Sequence, residues 1–222
     1  MFNKFIKEIY NEAGLKDNGF VLNSKDIILA PVKDFVRGYT FRKSDNHFFV
    51  SKFIQPIYYP SEHIAITYGG RLIGSHTYGE MFFLDENNIE FSKNEVIRLI
   101  NGSKQNLLDI ETPNDFYDRF HDLSAFDKYH AVDTMRHKAM MAVTLCYAAH
   151  TGCGKSIDDA LQYWEKSDRK NLPWMQGIAA NLNKLKASGD DREKREKLFN
   201  EWKSFSLGNL RLEKFSFKEK KE

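Results

Sequence analysis

The 222-residue sequence has little cysteine, almost no net charge and no long apolar run. Its 33 basic and 31 acidic residues leave a charge of +2, without the basic excess that is typical of proteins that bind nucleic acid or anionic membranes. The longest apolar stretch, residues 139–149, is shorter than the roughly 20 residues that a membrane-spanning helix needs. We therefore expect no membrane among its partners. Binding of nucleic acid through the aromatic residues of the N-terminal half and Arg71 is a weaker alternative, because the basic excess is missing.

The two cysteines, Cys146 and Cys153, are seven residues apart in a region with helical periodicity. On one continuous helix this spacing separates them by about two turns, or roughly 10 Å. A disulfide needs a Cα separation below about 7 Å, so the spacing predicts two free thiols. Residues 1–10 are amphipathic and charged, unlike the continuously apolar core of a signal peptide. Together these features predict a reduced, cytoplasmic protein.

Sequence motifs for common enzyme classes are also missing. The sequence has no nucleophile elbow around a serine, no glycine-rich dinucleotide loop and no EF-hand loop. No motif in the sequence indicates a cofactor, and none indicates enzymatic activity.

Aromatic residues are abundant: 18 Phe, 10 Tyr and 3 Trp make up 14% of the chain. Apolar residues at helical spacing from Phe2 to Ala13, followed by Gly14, predict an opening helix. Up to residue 91, segments rich in β-branched and aromatic residues alternate with turn residues and predict an antiparallel sheet. The predicted strands are 19–22, 27–32, 36–41, 47–54, 63–68, 71–75 and 81–84, with hairpin turns at 44–46 and 69–70.

From residue 92 the apolar periodicity becomes helical. Helix starts are predicted at Ser92, Thr112, Ser124 and Ser156, each with an acidic residue three positions later, and at Pro173 and 189–191. The predicted fold is therefore α+β: an N-terminal helix packed on an antiparallel sheet over 1–91, followed by a helical region over 92–222 that packs on it, either as a second domain or within one domain.

Tyrosine, arginine and histidine are concentrated in the strand region. Tyr and Arg contribute strongly to protein interfaces, because they bury large areas and keep hydrogen-bonding groups. The alternative is that many of these rings belong to the core. The predicted partner-binding residues are Arg42, His47, Tyr58, Tyr59, Arg71, His76 and Tyr78.

A second group of residues permits a different function. His130, Asp133 and His137 follow helical spacing, and His121-Asp122 resembles the dipeptide of the HD-type metal-dependent phosphohydrolases. With a divalent metal ion, these five residues could support phosphoester hydrolysis. The alternative is an ordinary solvated helix face.

The first 80 residues resemble a known group of proteins. A helix ending near Gly14 is followed by a strand that starts at Gly19, an aromatic strand closed by Arg42, and strands over 50–55 and 64–66. This order resembles the small α+β immunity proteins of bacterial polymorphic toxin and contact-dependent growth inhibition systems. The resemblance implies a cytoplasmic inhibitor that binds and neutralises a cognate toxin domain, often a nuclease such as an RNase. It implies no catalytic residues.

Overall fold

The computed structural model describes residues 2–74, 80–85, 87–122 and 133–217, and the fold is α+β, as predicted. The chain divides into two compact units. The first contains the described parts of Met1–Pro56, Ile64–Asp109 and Leu212–Glu222. The second contains Ile57–His63 and the described parts of Ile110–Arg211.

The first unit contains an antiparallel sheet whose strands differ in length. Its strands are β1 (Phe20–Asn23), β2 (Asp26–Leu29), β3 (Phe35–Ser44), β4 (His47–Pro56), β5 (Tyr68–Arg71) and β6 (Phe82–Phe83). They lie in the order β1-β2-β3-β4-β5, and β6 pairs with the start of β4. The predicted turn at 44–46 is confirmed, because β3 and β4 form a hairpin in which Asp45 has a φ of 49°.

Helices cover one face of this sheet: α1 (Phe2–Glu12), α2 (Ile89–Ser103) and the short α3 (Gln105–Leu108). The ring of Phe5 in α1 meets the ring of Phe48 edge-on, with centroids 5.1 Å apart. Tyr39 in β3 donates a hydrogen bond to the Ile100 carbonyl of α2 at 3.3 Å. Burial raises the pKa of Tyr39 to about 12, so its hydroxyl stays protonated and anchors this helix to the sheet.

Three predicted elements in this region differ from the structure. The predicted strands at 63–68 and 71–75 are replaced by the single strand β5, and the predicted turn at 69–70 lies inside it. Gly69 faces the backbone of β4 so closely that a Cβ atom there would lie 2.0 Å from the Lys52 carbonyl oxygen. The glycine therefore allows close backbone approach within the sheet and does not form a turn.

The second unit consists of α4 (Pro113–Phe120), α5 (Thr134–Tyr147), α6 (Cys153–Lys166), α7 (Pro173–Ala187) and α8 (Arg192–Leu210), together with the segment 57–63. The predicted starts at Thr112, which forms a capping box with Asp115, at Pro173 and at Asp191 are confirmed. Those at Ser92 and Ser156 are wrong, because both serines lie inside helices that begin earlier. Ser124 lies outside the described residues.

The prediction of two free thiols is wrong, because Cys146 and Cys153 form a disulfide with a Cα separation of 4.9 Å. The prediction assumed one continuous helix. Instead α5 ends at Tyr147, and the chain turns back through Ala149 and Gly152, whose φ angles are 57° and 98°. This reversal brings the last turn of α5 next to the first residue of α6.

The last described residues return to the first unit. The amide of Val32 donates to the Phe215 carbonyl, and the amide of Phe217 donates to the Val32 carbonyl, both at 2.8 Å. Leu212 is fully buried in this unit. Among the helices of the described ranges, none has the length and hydropathy needed to cross a membrane.

Candidate functional site

Three of the predicted partner-binding residues lie on one face of the sheet. Arg42 in β3 is directly opposite Phe49 in β4, and Arg71 in β5 is opposite Ser51. Residues that are directly paired, or two apart along one strand, point to the same face. Arg42, His47 and Arg71 therefore share a face, and it is opposite to the face on which α1 and α2 pack, because Phe48 and Tyr39 point the other way.

Two phenylalanines complete this group. The guanidinium carbon of Arg71 lies 4.5 Å from the centroid of the Phe49 ring, a cation–π contact. His47 in β4 is paired with Phe83 in β6, and the centroids of their rings are 4.9 Å apart. We define the basic-aromatic surface as Arg42, His47, Phe49, Arg71 and Phe83. All five are at least partly accessible, and the Arg71 side chain is 44% exposed.

Acidic groups next to this surface neutralise part of its charge. Glu80 forms an ion pair with Arg71. The carboxyl of Asp26 lies on the same face, opposite Thr40 in the neighbouring strand. Burial raises the pKa of Asp26, and the opposing effects of Thr40, Lys25 and Arg42 are smaller. Arg42 and Arg71 are permanently charged, and Glu80 offsets part of the charge of Arg71.

A row of polar side chains leads across the sheet to Arg71. Asp26, Thr40, Ser51 and Arg71 are paired in sequence across β2, β3, β4 and β5. Thr40 and Ser51 are buried, and the Ser51 hydroxyl has no hydrogen-bond partner within the described part of the chain. The row places polar groups beneath the part of the face where Arg71 stacks on Phe49.

Tyr58 and Tyr59 belong to the second unit, whereas the basic-aromatic surface belongs to the first. Tyr58 is fully buried, stacks on Tyr147 and hydrogen-bonds to the Thr144 hydroxyl at 3.1 Å. The prediction that Tyr58 contacts a partner is therefore wrong. Tyr59 packs against Trp202, and burial raises its pKa to about 12 despite the opposing effects of Asn181 and Arg136.

His76 and Tyr78 lie outside the described residues. Phe49 and Phe83 are not among the predicted partner-binding residues, although the sequence contains a signal for Phe49. In the predicted strand 47–54, His47 and Phe49 are two residues apart, so alternation places them on one face. For Phe83, in contrast, the pairing of β6 with β4 is needed, and this contact is not local in sequence.

The residues of the hydrolase hypothesis mainly serve local structure. The Asp133 carboxylate accepts hydrogen bonds from the first amides of α5 and pairs with Arg169 at 3.6 Å. Buried His137 donates from Nε2 to the His121 carbonyl at 3.3 Å, so its imidazole meets the backbone of His121 rather than its ring. His121 itself stacks on Tyr117, Asp122 directly follows it, and His130 lies outside the described residues.

Among the described residues, no three His, Cys, Asp or Glu side chains are grouped so that they could hold a metal ion. The basic-aromatic surface offers different chemistry: guanidinium donors for carboxylates, and ring faces for apolar or planar groups. This combination suits recognition of a protein surface. No protein-family model, curated protein or solved structure matches the chain.

Proposed function

We propose that this protein is an immunity-type inhibitor that binds a cognate bacterial toxin domain in the cytoplasm through the basic-aromatic surface. The observation that carries this proposal is the stacking of Arg71 on Phe49 within a face that also presents Arg42, His47 and Phe83. Arginine and aromatic side chains contribute most of the binding energy at many protein interfaces. The resemblance of the first 80 residues to immunity proteins supplies the class of partner.

The residues of the surface already have structural contacts without a partner. Its residues lie on paired strands, and Arg71 is fixed by both Phe49 and Glu80. Ordering flexible side chains costs about 0.5–1.5 kcal/mol each on association, so this prior ordering favours binding.

The charge of the surface indicates where a toxin would be contacted. Arg42 and Arg71 fit acidic groups on a partner. A nuclease binds the phosphates of its substrate with basic groups, which these arginines would repel. If the toxin is a nuclease or RNase, we therefore expect the protein to bind an acidic region beside the nucleic-acid path, and not to imitate nucleic acid.

The proposal is tested by co-expressing the tagged protein with the product of the neighbouring gene and measuring toxicity in the host cells. We expect the native protein to protect the cells and Phe49→Ala to protect them less. The matched control is Phe91→Ala, which removes a 51% exposed ring from α2 on the other side of the same sheet. Equal protection by both variants, or none by the native protein, would contradict the proposal.

A further inference from the structure

The two sulfurs of the Cys146–Cys153 disulfide have different surroundings. Cys146 is 3% exposed in the last turn of α5. Cys153 is partly accessible, and its neighbours Gly152, Gly154 and Lys155 are exposed. A dissolved thiol or disulfide can therefore reach Cys153 much more easily than Cys146.

The position of Cys153 also favours its thiolate. It is the first residue of α6, a helix of 14 residues, and the N-cap Gly152 has no side chain to satisfy the first amides. The positive end of the helix dipole stabilises a negative sulfur at this position. Cys146 has the opposite setting, because it lies at the carboxyl end of α5 and is buried.

We propose that this pair is a reversible thiol–disulfide site, in which Cys153 is the sulfur that reacts with glutathione and Cys146 is the resolving sulfur. The Cys153 thiolate attacks one sulfur of glutathione disulfide, forms a mixed disulfide and releases one glutathione thiolate. The Cys146 thiolate then attacks the Cys153 sulfur and releases the second glutathione. Two cysteine thiols are oxidised by two electrons, glutathione disulfide is reduced by two, and the two thiol protons pass to the released glutathiones.

The geometry of the bonded pair fits the product of the second step. In the bonded pair the Cα atoms are 4.9 Å apart, within the range that a disulfide requires. Reduction follows the same path backwards: a glutathione thiolate attacks the accessible Cys153 sulfur, and Cys146 leaves. This exchange lets the site respond to the ratio of reduced to oxidised glutathione.

The site is tested by incubating the reduced full-length protein with glutathione disulfide and measuring intact mass over time. We expect the native chain to lose two hydrogens and to keep no adduct. Cys146→Ser should instead retain one glutathione on Cys153, because its resolving thiol is missing. Cys153→Ser, the matched control, should react at least about tenfold more slowly, because only the buried thiol remains.

A second measurement does not depend on variants. The reduced native protein receives a brief pulse of limiting N-ethylmaleimide, and peptide mapping identifies the labelled cysteine. Labelling of Cys153 before Cys146 is expected. Equal or faster labelling of Cys146, or a native chain that keeps two free thiols in excess glutathione disulfide, would overturn the proposal.

Discussion

The ring of Tyr58 lies parallel to that of Tyr147, with centroids 4.2 Å apart and 10° between their planes. Tyr58 comes from the segment 57–63, between β4 and β5, whereas Tyr147 ends α5. The core of the helical unit therefore contains a ring from a segment that is distant from its helices in sequence.

Substitutions of Tyr58 should destabilise the protein, and the loss should be larger when the whole ring is removed than when only the hydroxyl is removed. Tyr58→Phe loses the bond to Thr144, whose hydroxyl keeps its bond to the Met140 carbonyl, and should cost about 0.5–1.5 kcal/mol. Tyr58→Ala should cost about 3–5 kcal/mol, because it leaves a cavity. Urea denaturation measures both. Tyr163→Ala, at a ring that is 38% exposed, should cost less than about 1 kcal/mol, and an equal loss at the two tyrosines would contradict the burial of Tyr58.

Glycine substitutions should differ sharply between the sheet and a helix of the same unit. Alanine at Gly38 or Gly69 would place Cβ 1.9 or 2.0 Å from the carbonyl oxygens of Ile27 and Lys52, so strands must shift. We expect a loss of about 1–3 kcal/mol or more in thermal or urea unfolding. Gly102→Ala in α2 has no atom within 4 Å and should stabilise by about 0.5–1 kcal/mol. A sheet variant as stable as the native chain would refute this packing.

Acid should destabilise the protein through His137. Burial lowers its pKa below 6.5 in the folded state, and Lys138 and His121 add to this, against the hydrogen bond to the His121 carbonyl. The unfolded chain takes up this proton near pH 6.5, and the folded chain does so only at lower pH. The contribution of His137 to the free energy of unfolding is therefore fully present above pH 6.5. It decreases as the pH falls from 6.5 towards the pKa of His137 in the folded state.

His137→Gln should remove this dependence. Unfolding free energy measured by urea titration between pH 7.5 and 5 should fall less steeply than in the native chain, by at most about 1.4 kcal/mol per pH unit, the effect of one proton. Identical slopes for the native chain and His137→Gln would show that another group carries the proton.

Local signals explain how much of the fold could be predicted. The capping box at Thr112, the proline at position 173 and the N-cap Asp191 each act within one helical turn, so the sequence alone reveals them. The predictions for Gly69 and for the cysteine pair were wrong, because the roles of these residues depend on where separate strands and helices meet. Short-range patterns carry no information about such contacts.

The candidate site was predictable to a similar extent. Residue type and location in the strand region led to the prediction of Arg42, His47 and Arg71, which share one face because their strands are neighbours. Tyr58 could not be distinguished from them, since tyrosine suits both a core and an interface. Only the path of the segment 57–63 into the second unit reveals its burial.

The proposed binding to a toxin is tested most directly by the mass of the complex formed with the product of the neighbouring gene. Size-exclusion chromatography with light scattering should give a one-to-one complex for the native protein. Arg71→Glu should abolish it or weaken it at least about tenfold, because the cation over Phe49 is replaced by an anion.

The control is Lys7→Glu, the same charge reversal at an exposed position of α1, the helix on the opposite side of the sheet. We expect this variant to form the complex with native affinity. A native protein that elutes alone, or a complex that Arg71→Glu leaves intact, would contradict binding through the basic-aromatic surface.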